Sequence, residues 1–185
     1  IQHKSGMPFQ APMDGCNIQL TLDLEYQSIL EEELKRRQIE TNALSATGII
    51  MDPQSGEILA MASTPGFDNN KFGTSAPAQQ RIRSITDQFE PGSTFKVVSA
   101  VSAISGNIVS LEDEFHCENG EFSYYNITVR DHTEHAMLTL PGIICFSSNI
   151  GMIKVMERVG TKSLYRTSRD FGFGSTTGIS LAGEM

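Results

Sequence analysis

The stretch that decides the reading is Arg83-Ser84-Ile85-Thr86-Asp87-Gln88-Phe89-Glu90-Pro91-Gly92-Ser93-Thr94-Phe95-Lys96. Glu90-Pro91-Gly92 breaks the chain, and a helical pattern follows. Phe95, Val97, Val98, Val101 and Ile104 make a helix over 93–105 apolar on most sides, which predicts a central, buried element. Gly106 is its expected stop. Ser93 and Lys96 stand three residues apart, so on a helix they share a face.

That spacing has a chemistry. A serine hydroxyl is a weak nucleophile and needs a base. A lysine amine one turn away serves if it is neutral. Bringing a lysine from about 10.4 to about 7 requires about 4.6 kcal/mol of differential destabilisation. An apolar helix supplies desolvation, and the positive end of the helix dipole acts in the same direction. The Ser93 N–H, at a helix start, can face a developing oxyanion. The tetrad alone is not rare: with 19 Ser and 6 Lys among 185 residues, chance supplies about 0.6 such matches. Taken alone, the tetrad reads more readily as a helix-capping serine followed by a solvated lysine. A second constellation, Ser147-Ser148-Asn149, falls in a break between two helical patterns. A hydroxyl there can relay a proton, and the Asn149 amide can bind a peptide carbonyl. Taken alone, it reads as an ordinary helix cap.

Working outward, Ile18, Leu20, Leu22 and Leu24 alternate with polar residues, which predicts a short strand. Asp23 then caps a helix with the stripe Tyr26, Ile29, Leu30 and Leu34, and Lys35, Arg36 and Arg37 fall in its last turns. Residues 46–52 and 57–63 read as a β-hairpin across Asp52-Pro53-Gln54-Ser55-Gly56. Residues 64–78, rich in Pro, Gly and Asn, read as loop. Asn119-Gly120 marks a turn or hairpin tip. Thr139-Leu140-Pro141 starts a helix that reaches about Phe146. Further helices are expected over 150–159, stopped by Gly160, and from a Thr161 cap to Gly172. The lead-in, residues 1–17, carries Gly6, Pro8, Pro12 and Gly15 and reads as irregular.

Composition narrows the function. The net charge of −8 and pI near 4.9 argue against a nucleic-acid partner, which needs a basic footprint. No apolar run approaches the roughly 18 residues of a membrane span. Cys16, Cys117 and Cys145 are odd in number and lack C-x-x-C spacing, so a closed disulfide framework and a zinc ribbon are excluded; they read as free, buried cysteines, with one bridge plus a spare as the alternative. His132-Thr133-Glu134-His135 is one residue short of the H-x-x-E-H zinc pattern and reads as a polar loop. Asn126-Ile127-Thr128 is a glycosylation sequon in spelling only.

Taken together, five ordered segments resemble class B penicillin-binding proteins. The stretch from Arg83 to Lys96 is similar to the nucleophile region of that family. Gly48-Ile49-Ile50-Met51-Asp52-Pro53 and Gly56-Glu57-Ile58-Leu59-Ala60-Met61 resemble its first two strands. Ser147-Ser148-Asn149-Ile150-Gly151-Met152 resembles its second motif, and Phe171-Gly172-Phe173-Gly174 with Thr177-Gly178-Ile179 a later segment. The details look most like the division-specific septal branch, with the elongation branch and spore-wall relatives as the alternatives. The resemblance implies an α/β (α+β) penicillin-binding protein / serine β-lactamase-like transpeptidase fold, incomplete here: helices plus the N-terminal hairpin of a central sheet whose remaining strands are missing. It implies Ser93 as acylated nucleophile, Lys96 as general base, Ser147 as proton relay and Asn149 as substrate contact, with no metal or cofactor. The implied reaction is D,D-transpeptidation of peptidoglycan stem peptides, with β-lactams acylating the same serine. The implied setting is the extracytoplasmic face of the bacterial inner membrane, reached through an N-terminal anchor outside this chain. A glycosyltransferase and division proteins are the implied partners.

One departure stands out. The family's K-T-G motif is absent: Thr176-Thr177-Gly178 lacks the lysine. By that resemblance residues 18–185 are the N-terminal part of the transpeptidase domain, following a lead-in, 1–17, from a preceding non-catalytic domain, and are expected to be inactive without a C-terminal piece. Rival readings are a serine β-lactamase or β-lactam sensor of the same fold, or a non-catalytic module that binds cell wall or division proteins. Rapid release of a penicilloyl adduct would mark the β-lactamase.

Overall fold

The computed structural model describes residues 13–184, which divide into two compact units meeting at Asp87 and Gln88. Most of the irregular lead-in, residues 1–12, lies outside the described residues.

In the first unit, Asp23 caps α1 (Leu24–Thr41), its Oδ1 accepting from the Glu25 and Tyr26 N–H groups at 2.9 and 3.2 Å. The residues before it do not form the expected strand. They lie outside regular secondary structure, tied down by the Asp23 N–H on the Leu59 carbonyl (2.8 Å) and the Thr21 hydroxyl on the Ile58 carbonyl (2.6 Å). β1 (Ala46–Met51) and β2 (Ile58–Thr64) form the antiparallel hairpin that the sequence predicts, in the register Ala46↔Thr64 and Ile49↔Met61. The face that α1 turns toward the hairpin keeps Leu30 and Leu34 of the expected stripe, which lie against Gly48, and loses Tyr26 and Ile29. Tyr26 and Ile29 are about half exposed, while Gln27, Leu30, Leu34 and Gln38 are partly buried. The reason is the edge of β2. The Gln27 amide donates to the Met61 carbonyl (3.0 Å) and accepts from its N–H (2.9 Å), and Gln38 accepts from the Thr64 hydroxyl (2.7 Å). Lys35, Arg36 and Arg37 stop short of the last turn, because α1 continues to Thr41; Arg36 pairs with Glu33 and Glu40. The 64–78 stretch holds two 3₁₀ turns, Asn69–Thr74 and Pro77–Gln79, and α2 (Arg83–Thr86) follows.

In the second unit a 3₁₀ turn, Gly92–Phe95, opens α3 (Lys96–Ser105). β3 (Glu114–His116) pairs with β6 (Met137–Thr139), and β4 (Glu121–Tyr124) with β5 (Ile127–Arg130). α4 (Leu140–Cys145), α5 (Asn149–Val159) and α6 (Thr161–Asp170) complete it. Ala103, Phe115, Cys117, Leu138, Leu140, Ile143, Met152 and Val155 form its core. Each large aliphatic side chain buried there contributes about 1.5–3 kcal/mol. Gly151 has a steric role: a Cβ there would lie 2.5 Å from Ile143 Cγ1, so α5 and α4 meet closely only with glycine.

Several details depart from the sequence reading. α3 buries Val98, Ser99, Ser102 and Ala103, while Val97 (54%) and Ile104 (45%) are exposed. Ser102 faces α6, its hydroxyl donating to Ser163 at 3.2 Å, and Ala103 joins the core. The turn of the β4–β5 hairpin is Tyr125-Asn126, with Tyr125 in the left-handed region; Asn119-Gly120 lies in a preceding 3₁₀ turn. Thr161 is the first residue of α6 rather than its cap. Of the cysteines, Cys117 is buried, whereas Cys16 and Cys145 are exposed.

Four helices end alike. In each, the N–H of a left-handed residue reaches back three residues, and the next N–H reaches back five, the Schellman pattern. Asn42 follows α1, Asn107 follows α3, Ser147 follows α4 and Gly172 follows α6. At α3 this gives the left-handed role to Asn107, and Gly106 stays right-handed at φ −83°.

Candidate active site

The site lies within the second unit. Gly92 adopts φ +59°, a region L-residues rarely take, and turns the chain so that Ser93 enters the 3₁₀ turn exposed. In a 3₁₀ turn i and i+3 eclipse. Ser93 and Lys96 therefore align more closely than on the α-helix that the sequence predicts.

Ser147 is at φ +55°, where a non-glycine residue carries about 1–3 kcal/mol of strain. The Ser147 N–H donates to the Ile144 carbonyl (3.2 Å) and the Ser148 N–H to that of Ile143 (2.9 Å). This conformation turns the Ser147 side chain toward α3. Its hydroxyl lies 3.0 Å from Ser93 Oγ and 3.0 Å from Lys96 Nζ. Lys96 also donates to the Ser147 carbonyl and to Asn149 Oδ1 (2.8 Å). These three acceptors match the three N–H donors of an ammonium. Burial lowers the Lys96 pKa from the ordinary lysine value, and the Asp131 carboxylate opposes the shift. The structure thus brings together all four residues singled out in the sequence: Ser93, Lys96, Ser147 and Asn149. The path from Ser93 to Lys96 runs through Ser147.

A hydroxyl can donate or accept as its proton rotates. The arrangement therefore permits Ser93 to pass its proton to Ser147 as Ser147 passes its own to a neutral Lys96. The Ser93 N–H, in the first turn, is available to a developing oxyanion.

Sequence reasoning missed Asp131. Its carboxylate accepts from the Ser148 hydroxyl and from the N–H groups of Asn149 (2.6 Å) and Ile150 (3.1 Å). It lies 17 residues before Ser148, beyond the reach of any local spacing rule. The Arg130 carbonyl, accepting from Asn149 Nδ2 at 3.2 Å, was equally hidden. Buried Cys117 sits against Ser148, with its thiol pKa pushed up by burial. His132 and Glu134 are exposed, and His135 packs on the Phe146 ring at 4.4 Å between centroids.

The chain belongs to the penicillin binding protein transpeptidase domain family, whose model it matches over residues 46–185. Stage V sporulation protein D of Bacillus subtilis is 31% identical over 179 residues, covering 95% of this chain and 28% of that protein. The peptidoglycan D,D-transpeptidase FtsI of Escherichia coli is 30% identical over 168 residues, covering 91% and 28%. The fold is similar to the TP domain of Burkholderia pseudomallei penicillin-binding protein 3, with a TM-score of 0.78 and 25% identity over 90% of this chain and 46% of that one. The chain therefore spans less than a third of the length of these two curated relatives.

Proposed function

We propose that the full-length protein is a peptidoglycan D,D-transpeptidase acting through a serine acyl-enzyme, in cell-wall cross-linking during division. The observation that carries this reading is the continuous path from Ser93 Oγ to Ser147 Oγ to Lys96 Nζ, each step 3.0 Å. Ser93 Oγ attacks the penultimate D-Ala carbonyl of a stem peptide, and its proton moves through Ser147 to neutral Lys96. The tetrahedral oxyanion faces the Ser93 N–H. The C–N bond breaks, and the proton returns along the same path to the departing D-Ala amine. An amine of a neighbouring stem then attacks the ester, loses its proton along the path, and frees Ser93. One amide has replaced another, so no oxidant or reductant enters the balance. Asn149 is assigned to a substrate amide, although its Oδ1 also anchors Lys96.

A β-lactam carbonyl offers the same electrophile. The partners that fit this reading are stem peptides, β-lactams, a glycosyltransferase and division proteins, at the extracytoplasmic face of the membrane. Among the described residues no helix is long and apolar enough to cross a membrane.

The test is intact-mass measurement of the full-length protein with penicillin. One long-lived adduct on the peptide containing Ser93, absent in Ser93→Ala, is the expected result. An adduct that survives Ser93→Ala removes the assignment. Rapid hydrolytic turnover points to a β-lactamase.

A further inference from the structure

Asp131 directly follows β5, and its own N–H is fixed on the Gly120 carbonyl at 3.1 Å. Its carboxylate gathers the start of α5. Oδ1 takes the Asn149 and Ile150 N–H groups, and Oδ2 takes the Ser148 hydroxyl, whose oxygen accepts from the Gly151 N–H at 2.8 Å. Ser147 is the residue immediately before this clamp. On its other side it is held by the Schellman bonds of α4. Left-handed non-glycine residues persist where their surroundings over-determine them, and here both flanks are pinned.

We propose that Asp131 is a positioning residue for the relay: by clamping the first turn of α5 it holds Ser147 left-handed, with its hydroxyl aimed at Ser93 and Lys96 together. The reaction it serves is the one assigned under Proposed function, and the proposal rests on that reading. Asp131 also sets the charge balance. The charged and titratable groups around the clamp are Lys96 on α3, Cys117 after β3, Asp131 itself, Glu118, which pairs with Lys154 of α5 at 3.2 Å, and the imidazoles of His132, next in the chain, and His135, packed on Phe146, while neighbouring Arg130 is engaged by Glu121 at 2.9 Å. The carboxylate favours the ammonium form of Lys96.

Two variants of the full-length protein separate geometry from charge. Asp131→Ala removes both. Asp131→Asn keeps an acceptor for the Asn149 and Ile150 N–H groups and loses the charge. The readouts are amide hydrogen exchange at Asn149 and Ile150, and the pH profile of acylation by fluorescent penicillin. In Asp131→Ala, exchange at both amides accelerates and acylation slows by about 10²-fold, the cost of a small misplacement of reacting groups. Asp131→Asn restores protection and part of the rate, and its acidic limb moves to lower pH because the charge favouring the ammonium is gone. Unchanged exchange in Asp131→Ala overturns the proposal, as do wild-type rates and pH profiles in both variants. A wild-type protein that takes no adduct at Ser93 sinks the transpeptidase reading instead, and the exchange result then decides the clamp alone.

Discussion

The ends of α3 and α4 are built on one plan and put to different uses. At α3 the Asn107 N–H reaches the Ile104 carbonyl (2.9 Å) and the Ile108 N–H that of Ala103 (3.2 Å). At α4 the equivalent bonds from Ser147 and Ser148 measure 3.2 and 2.9 Å. The left-handed residues sit at φ 50° and 55°. Asn tolerates that region because its short amide bonds locally, whereas serine is not among the residues that adopt it readily. The α3 terminus therefore holds a residue suited to its backbone. The α4 terminus holds one suited to the hydroxyl it projects, 3.0 Å from both Ser93 and Lys96. Matching geometry with mismatched residue choice marks where chemistry overrides helix capping.

That contrast can be broken. In the full-length protein, Ser147→Ala should slow penicillin acylation by about 10²–10⁴, the range for a positioned proton-transfer group, while Asn107→Ala leaves the rate unchanged in the same stopped-flow assay. Lys96→Arg should cost a similar factor, since guanidinium keeps the charge and does not deprotonate. A near-wild-type rate in either relay variant would place the base elsewhere.

It can also be sharpened. Ser147→Gly should lose acylation as Ser147→Ala does, yet gain about 1 kcal/mol of stability in urea unfolding by relieving the left-handed strain. An unchanged or lower stability would mean that the conformation is not strained. Asn107→Ser should do the reverse, losing up to about 1 kcal/mol with no change in acylation rate.

The smallest effect is one of pH. Lys96 titrates below an ordinary lysine because burial disfavours its charge. Between that lowered value and the ordinary one the unfolded chain binds more protons than the folded chain, so stability rises with pH across this window. Lys96→Met should flatten the rise in urea midpoints. Acylation, which needs the neutral amine, should climb with pH through the same lowered value.

How much of this was legible follows the range of the interactions involved. The S-x-x-K spacing, the Ser147-Ser148-Asn149 break, the Asp23 cap and the Thr139-Leu140-Pro141 start all depend on neighbours within one turn, and the structure holds each of them. The stripe Tyr26 and Ile29 misled, because α1 meets the edge of a strand, where an amide outcompetes an apolar side chain. The burial expected of Val97 and Ile104 failed, because close helix contact selects the small residues Ser99, Ser102 and Ala103 instead. Gly106 attracted the helix stop through its residue type, although Asn107 takes the left-handed position. Asp131 left no signal, since its partners lie 17 to 19 residues away.

The pairing of Gln27 with Met61 has a consequence for assembly. A strand margin normally offers its peptide groups to any extended chain that passes, which is how sheets recruit unwanted partners. At Met61 both groups are already taken by one side-chain amide that mimics a peptide unit. A strand approaching β2 must first displace a helix, while β1 keeps its margin open to backbone pairing among the described residues. The hairpin can therefore be extended in one direction, and α1 acts as the stop that gives the sheet its polarity of growth.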